Sequence, residues 1–295
     1  MRLGALEAGG TKMVCSVGDE QGRIEKRAVI STGVPDETLP LIIAFFMQNN
    51  IAALGIGSFG PLDLNTASPA YGSITSTPKP GWNGYPLLKT LTGALRVPAL
   101  IDTDVNAAAL GEHIKGAGRG FQHILYVTVG TGIGGGIICG KEPVHGLLHP
   151  ELGHMLLRPL PDDPLQDGVC PYHRGCLEGL ASGPSLQARF GVPARELTED
   201  HIAWTLETEY LAQMCVNATV MLSPERIILG GGVMQQPHLF TRIQDRTRQL
   251  LNGYILHERI TTYPETYIVP PGLGGDSGVT GALLLAARAA GYHTV

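Results

Sequence analysis

The chain has 295 residues, which is long enough for one large α/β domain or two domains of medium size. Only 16% of the residues are charged and the net charge is −5, so neither nucleic acid nor an anionic membrane surface is an expected partner. The N-terminal residues lack the apolar stretch of a signal peptide, and no segment approaches the roughly 18 apolar residues of a membrane helix. The five cysteines predict no disulfide framework in a chain of this size. We therefore expect a cytoplasmic protein.

The first part of the chain alternates between predicted strands and helices. Strands are predicted at 3–8, 13–17, 23–31, 52–58 and 99–102, and helices at about 35–49 and 105–115. Proline and two acids at residues 35–37 are typical of the first turn of a helix. The alternation of strands and helices indicates layers of α/β structure.

The same pattern begins again near residue 123. The predicted elements are a strand at 123–129, a glycine turn at 130–136, strands at 136–139 and 226–229, and helices near 183–191, 199–221, 234–251 and 277–290. Both parts of the chain open with a strand, a turn containing glycine and threonine, and another strand, which favours a duplicated fold. We expect an N-terminal domain at 1–117 and a C-terminal domain at 118–295, with the last helix packing back on the N-terminal domain.

The two glycine turns are suited to phosphate binding, because backbone N–H groups beside glycine can point at oxygens without hindrance. The first turn contains Gly9, Gly10 and Thr11 and is followed by Lys12, and the second contains Thr131. One such turn alone is more often an ordinary tight hairpin, but two in equivalent positions favour phosphate. A third glycine cluster, at 230–232, lies between a strand end and a helix start, where ligands gather in α/β sheets.

The second glycine turn also matches the dinucleotide-binding pattern GxGxxG. That fingerprint requires a helix immediately after the glycines, to aim its N-terminus at the pyrophosphate. The residues that follow predict a strand instead. A nicotinamide-dependent enzyme is therefore the weakest functional alternative.

An acidic segment at 102–106 marks the passage from a strand into a helix. Asp104 has two open interpretations: it caps the helix, or it is a general base that accepts a proton from an alcohol substrate. Phosphoryl transfer requires little more of a protein than such a base, together with positioning and charge neutralisation. Glu7 and Asp102 are suited to orient hydrated magnesium.

A metal site is predicted in a loop rich in proline and glycine. Four soft or borderline ligands with suitable spacing are His154, Cys170, His173 and Cys176. A core histidine is the default interpretation of the first of these alone, but three ligands within seven residues favour tetrahedral zinc. Because no coordination position is left open, we expect a structural metal that holds Glu151 and Glu178 at a fixed separation.

These motifs, in this order, resemble those of the ROK family of sugar kinases (repressors, open reading frames and kinases). The matching segments are 7–12, 102–112, 128–136, 151–154 and 176–183, and the similarity covers nearly the whole chain. The resemblance implies a hexokinase/actin-like (ribonuclease H-like) duplicated two-domain α/β fold with a cleft between the halves. It also implies an enzyme that uses ATP and Mg²⁺ and forms a homodimer. Because the first glycine hairpin begins at residue 9, no DNA-binding domain of a repressor is expected before it.

The resemblance implies a role for individual residues. Asp104 matches the catalytic base, and the residues matched to the sugar are Thr103, Glu151, His154 and Glu178. The residues matched to ATP are Gly9, Gly10, Thr11, Lys12, Thr131, Gly132, Pro184, Gly230, Gly231, Gly232, Val233 and Met234. The chain departs from the family pattern at Glu7, where aspartate is usual, and at His173, where cysteine is usual.

Three features resemble the bacterial fructokinase branch of the family. These are Thr103, which stands where glucokinases commonly carry asparagine, the zinc loop that contains His173, and the segment Thr77–Trp82. Fructose is therefore the expected substrate and fructose 6-phosphate the expected product. A glucokinase or an N-acetylmannosamine kinase is the alternative within the family, and a non-catalytic sugar sensor is the alternative of another class. Trp82 is either a stacking surface for sugar or a core residue.

Overall fold

A computed structural model of the protein describes residues 1–292. The chain forms two compact units. Within the described residues, the first unit comprises Met1–Arg119, Glu142–Pro150 and 275–292, and the second comprises Gly120–Lys141 and Glu151–Gly274. This grouping differs from a simple division after residue 117, because Glu142–Pro150 packs with the first unit. No helix among the described residues is long and apolar enough to cross a membrane.

The strands and helices follow one another in the alternation that the sequence predicts. The strands are β1 (Leu3–Ala8), β2 (Lys12–Gly18), β3 (Ile24–Ser31), β4 (Ala53–Ser58), β5 (Ala99–Thr103), β6 (Ile124–Val129), β7 (Ile133–Cys139), β8 (Glu142–Pro143), β9 (Arg226–Gly230) and β10 (Ile268–Val269). The helices are α1 (Pro35–Asn49), α2 (Leu87–Leu95), α3 (Asp104–Lys115), α4 (Leu177–Ala181), α5 (Gly183–Phe190), α6 (Ala203–Leu222), α7 (His238–Leu251), α8 (Glu258–Thr261) and α9 (Ser277–Ala289).

The first unit is built on a five-stranded sheet with the order β3-β2-β1-β4-β5. Strands β1, β4 and β5 are parallel, whereas β2 and β3 continue the sheet in antiparallel pairing. Every residue of β4 is buried, as expected for a strand covered on both faces. Helix α1 covers one face through a core that includes Leu39, Ile42 and Phe46.

Helix α9 packs closely on the other face of the same sheet and on α3. A side chain at Gly55 in β4 would place its Cβ 1.8 Å from the carbonyl oxygen of Ala282 in α9. A Cβ at Gly281 would lie 1.6 Å from the carbonyl oxygen of Ala107 in α3. These approaches between backbones are possible only with glycine. They hold the start of α3 at the end of β5.

In the second unit, strands β10, β9, β6 and β7 lie side by side in that order. Strands β6 and β7 form an antiparallel hairpin, and β9 is parallel to β6. The long helix α6 and helix α7 pack on this sheet and on each other, around a core that includes Trp204, Leu211 and Ile243.

The glycine turn of this hairpin is shorter than the predicted span of 130–136, because strand β7 already begins at Ile133. The glycines that follow lie inside the strand, where they allow a neighbouring segment to approach. A Cβ at Gly135 would lie 3.1 Å from the Cβ of Leu152, and a Cβ at Gly153 would lie 1.8 Å from the carbonyl oxygen of Ile133. Gly135 therefore serves close packing and not the formation of a turn.

Candidate active site

Three parallel strands of the first unit end side by side. Ala8 at the end of β1 pairs with Ser58 at the end of β4, and Ser58 pairs with Thr103 at the end of β5. With about 4.8 Å between neighbouring strands, the first and third of these residues lie about 10 Å apart. The first glycine hairpin follows Ala8 directly, and Asp104 follows Thr103. Both therefore leave the carboxyl edge of the sheet, where ligands bind in α/β folds.

The first glycine hairpin is held by main-chain and hydroxyl contacts. The amide of Gly9 donates to the carbonyl oxygen of Lys12 at 3.0 Å, and the hydroxyl of Thr32 donates to the carbonyl oxygen of Gly9 at 2.8 Å. A Cβ at Gly9 would lie 2.7 Å from the oxygen of Lys12, so the turn excludes a side chain there. Gly10, Thr11 and Lys12 are exposed at the tip.

Asp104 does not cap helix α3, so the capping interpretation is wrong. The cap is Thr103, whose hydroxyl oxygen accepts a hydrogen bond from the amide of Asn106 at 3.1 Å. Asp104 is the first helical residue, and its carboxylate accepts from the adjacent amide of Val105 at 2.9 Å. Burial raises the pKa of Asp104 to about 6. Such a pKa suits a general base near neutral pH.

The two other acids of this edge have different surroundings. Burial, and then the charge of Asp104, raise the pKa of Glu7 to about 6. Both oxygens of Asp102, by contrast, have protein partners. One oxygen accepts from the side-chain amide of Asn106 at 2.8 Å, and the other lies 3.0 Å from Nε2 of His145.

Two histidines of the segment Glu142–Pro150 belong to this edge and were not predicted from the sequence. The hydrogen bond with Asp102 raises the pKa of His145. His149 is buried, and its Nε2 accepts from the amide of Leu62 at 3.0 Å. The sequence does show two histidines in a glycine-containing loop just before Glu151. The order of the predicted strands, however, does not indicate that this loop packs with the first unit.

In the second unit, the other glycine hairpin contacts Glu178. The carboxylate of Glu178 accepts from the amide of Ile133 at 2.9 Å, and a Cβ at Gly132 would lie 2.7 Å from the same carboxylate. Glu178 stands in the first turn of α4, which is capped by the sulfur of Cys176. The expected sugar ligand and the expected phosphate turn are thus in direct contact within this unit.

Further residues matched to ATP lie against the same hairpin. The amide of Gly183, beside Pro184 at the start of α5, donates to the carbonyl oxygen of Gly130 at 2.8 Å. A Cβ at Gly231, where φ is +94°, would lie 2.3 Å from the carbonyl oxygen of Val129. The loop that continues through Gly232, Val233 and Met234 is therefore pressed onto the hairpin, because only glycine permits this approach.

The four predicted metal ligands come together in the second unit. Their ligand atoms all lie within 4.8 Å of one another. The distances to Nδ1 of His154 are 3.8 Å from the sulfur of Cys170 and 3.9 Å from the sulfur of Cys176, and the Cys170 sulfur lies 3.6 Å from Nδ1 of His173. Tetrahedral zinc with ordinary bond lengths separates sulfur from nitrogen by about 3.6 Å. The donor set and its spacing fit zinc.

Trp82 is a core residue, so the stacking interpretation is not supported. Its side chain is 1% exposed, and its indole N–H donates to the carbonyl oxygen of Gly33 at 2.9 Å. Its ring meets Phe59 and Tyr85 edge to face. Of the residues matched to the sugar, Thr103 is buried in the first unit, whereas Glu151 is exposed in the second.

Comparison with known proteins places these features in a wider context. Residues 3–289 match the ROK family. The fructokinase of Pediococcus pentosaceus is 45% identical over 98% of this chain and 99% of its own length. The fructokinase of Streptococcus mutans is 40% identical over 97% of this chain and 98% of its own length. The glucokinase of Halalkalibacterium halodurans is 29% identical over 79% of this chain and 76% of its own length.

Two solved structures share the fold over nearly the whole chain. The ROK hexokinase from Thermus thermophilus has a TM-score of 0.79 at 29% identity and covers 99% of both chains. The ROK family glucokinase from Streptomyces griseus, in complex with glucose and AMPPNP, has a TM-score of 0.78 at 26% identity and covers 98% of this chain and 100% of that one.

Proposed function

Because the chain belongs to the ROK family, we propose that it is an ATP-dependent hexose kinase that converts fructose to fructose 6-phosphate. The observation that supports a kinase most directly is the common edge of β1, β4 and β5, from which both the first glycine hairpin and Asp104 emerge. The choice of fructose rests on fructokinases that are 40% and 45% identical to nearly the whole chain.

Asp104 acts as the general base in this proposal. Its carboxylate takes the proton from the 6-hydroxyl of the sugar as the oxygen attacks the terminal phosphorus of ATP. The bond from that phosphorus to the bridging oxygen breaks, and ADP leaves. A carboxyl whose pKa is about 6 is largely ionised at neutral pH and is still basic enough to assist.

The amides of the two glycine hairpins hold the phosphates of ATP. Mg²⁺ bound with ATP supplies charge neutralisation for the transferred group. Glu7 fits the orientation of the hydrated ion better than Asp102 does, because both oxygens of Asp102 already have protein partners. The adenosine portion is assigned to Thr131, to Pro184 and to the loop from Gly230 to Met234, which lies against the second hairpin.

Glu151, His154, Glu178 and Thr103 are proposed to bind the sugar. His154 is assigned to both sugar and zinc, and its two nitrogens separate these roles. Nδ1 faces the sulfurs of Cys170 and Cys176, which leaves the N–H at Nε2 to donate to a sugar hydroxyl. Zinc is therefore proposed as a structural ion that orients this imidazole.

The test is an ADP-release assay across fructose, glucose, mannose and N-acetylmannosamine, with the Asp104→Asn variant as the inactive control. We expect fructose to give the highest kcat/KM. A preference for glucose would support the alternative that the 29% identical glucokinase represents. Binding of sugar with no ADP release from any hexose would identify a sugar sensor and refute the kinase proposal. The homodimer stays a prediction from the family resemblance, and light scattering on the purified protein tests it.

A further inference from the structure

A second lysine reaches the first glycine hairpin, from a loop that the proposed function does not use. Lys79 belongs to the segment Thr77–Trp82 in the first unit. Its ammonium donates to the carbonyl oxygen of Gly10 at 3.0 Å. The same nitrogen lies 5.3 Å from the centre of the Phe59 ring. The positive charge therefore sits directly at the exposed tip of the hairpin.

Two buried aromatic residues, Trp82 and Phe59, fix the position of this charge. Trp82 is almost fully buried, its indole donates to Gly33, and its amide donates to the carbonyl oxygen of Lys79 at 3.2 Å. Phe59, which the lysine covers, donates its amide to the carbonyl oxygen of Ala8 at 2.8 Å. Phe59 thus ties the lysine to the end of β1, where the hairpin begins. A side chain packed in this way loses little freedom when its charge meets a ligand.

The two groups approach so closely that a side chain at position 10 would displace the ammonium of Lys79. A Cβ there would lie 2.4 Å from the Lys79 nitrogen. An ammonium group has three donors, and the contact with Gly10 uses one of them. Among residues 1–292, the partners of its ammonium group are that carbonyl and the Phe59 ring, and no carboxylate pairs with it. A cation with free donors and no carboxylate partner is suited to receive an anion.

We propose that Lys79 is a catalytic residue, whose ammonium contacts the terminal phosphoryl group of ATP at the first hairpin and neutralises charge as that group is transferred. This inference rests on the proposed function, since it takes the hairpin to bind phosphate. Lys12 is the first residue of β2, whereas Lys79 reaches the hairpin from the connection between β4 and α2. Two cations would thus meet one phosphoryl group from different segments of the first unit.

The test separates charge from simple support of the hairpin. Lys79→Gln keeps a donor for the Gly10 carbonyl but removes the charge, whereas Lys79→Arg keeps the charge. Lys26→Met is the matched control, because the ammonium of Lys26 also donates to a neighbouring oxygen, that of the Asn49 side chain at 2.9 Å, but lies away from the hairpin. Circular dichroism and Tm confirm that each variant is folded.

We expect Lys79→Gln to lower kcat/KM for ATP on the order of 10- to 100-fold, as for the loss of one charged hydrogen bond. The KM for fructose should stay within about twofold of wild type if the effect is confined to the phosphate. Lys79→Arg should retain more activity than the glutamine variant, and Lys26→Met should match wild type.

Calorimetry supplies a readout that does not depend on turnover. The affinity for AMPPNP should fall in Lys79→Gln, whereas the affinity for adenosine should not change. Wild-type kcat/KM for ATP and wild-type AMPPNP affinity in this variant would overturn the proposal. Failure of the proposed function is distinguishable, since it appears as absence of hexose-dependent ADP release from the wild-type protein, with AMPPNP binding still measurable.

Discussion

Thr103 caps helix α3 and thereby frees Asp104 for chemistry. The hydroxyl of Thr103 accepts the hydrogen bond from the amide of Asn106, so Asp104 does not serve as the cap and its carboxylate accepts from the adjacent amide of Val105. The same threonine pairs through Ser58 with the strand that leads into the first glycine hairpin. One residue therefore sets both the start of the helix and the position of the acid at the sheet edge.

Asp104→Asn is expected to lower kcat by a factor on the order of 10²–10⁴, because the amide cannot accept the hydroxyl proton. Steady-state kinetics measures the loss, and calorimetry with fructose is expected to show that sugar binding is retained. Asp36→Asn is the matched control, because Asp36 is also an acid in the first turn of a helix but is exposed. Near-normal turnover of the Asp104 variant would show that another group is the base.

The pH dependence follows from the same carboxyl. Its pKa of about 6 means that kcat/KM should rise with pH and reach half of its plateau near pH 6. Glu7 also has a pKa of about 6, so the profile of Glu7→Gln is needed to separate the two acids. If Asp104 is the base, the rise persists in the Glu7 variant. A profile that is flat from pH 5 to 8 in the wild type would contradict the assignment.

The free energy of unfolding should fall as pH rises, whereas kcat/KM rises with pH. A carboxyl whose folded pKa is raised above its unfolded value binds its proton more tightly in the folded protein, so unfolding becomes easier as pH rises from about 4 to 6. Asp104→Asn removes this cost. Its Tm should therefore exceed that of wild type above pH 6, and the difference should shrink toward pH 4.

Much of the fold could be predicted because each long element carries a local signal. The apolar run of β1 and the proline start of α1 have the boundaries that the sequence indicates. The start of β7 was predicted wrongly, because its run of glycines is typical of a turn, whereas Gly135 lies in the strand and allows Leu152 to pack against it. The short helix α4 has five residues, too few for a periodic pattern.

The residues of the site could be predicted where they are close together in the sequence. They could not be predicted where only the fold brings them into contact. The zinc ligands and Asp104 stand in compact motifs. The bond between His145 and Asp102 joins residues 43 positions apart, and the contact of Lys79 with Gly10 spans 69 positions. No spacing rule in a single sequence indicates such pairs, because they form only when two distant loops pack against the same edge of the sheet.

Zinc content tests the cluster in the second unit. Purified protein should contain about one zinc per chain by metal analysis, and Cys170→Ser should lose the metal with a fall in Tm on the order of 5 °C. Cys139→Ser is the control, because this cysteine is exposed in β7 and lies outside the ligand set. Cys139 ends an apolar run of the sequence, which favours a core position, but the structure exposes its side chain. Wild-type protein that lacks zinc after mild purification would contradict the site.

Gly132→Ala tests the contact between the second hairpin and Glu178. The new Cβ would lie 2.7 Å from the Glu178 carboxylate, which must then move and release the amide of Ile133. Because the end of a flexible side chain can shift, the fold should survive with a loss of about 1 kcal/mol for one hydrogen bond. A displaced carboxylate and hairpin should nevertheless lower kcat/KM on the order of 10²-fold, as small misplacements at a reacting site do.

Gly93→Ala is the control for this substitution. Gly93 lies in α2, and no atom lies within 4 Å of a Cβ placed there, so activity should not change. Glu178→Gln is the companion variant, since its amide oxygen can still accept from Ile133 while the charge is lost. Equal losses in Gly132→Ala and Glu178→Gln would assign the effect to the carboxylate, and a larger loss in the alanine variant would assign it to the hairpin backbone. Full activity of Gly132→Ala would show that the contact has no part in catalysis.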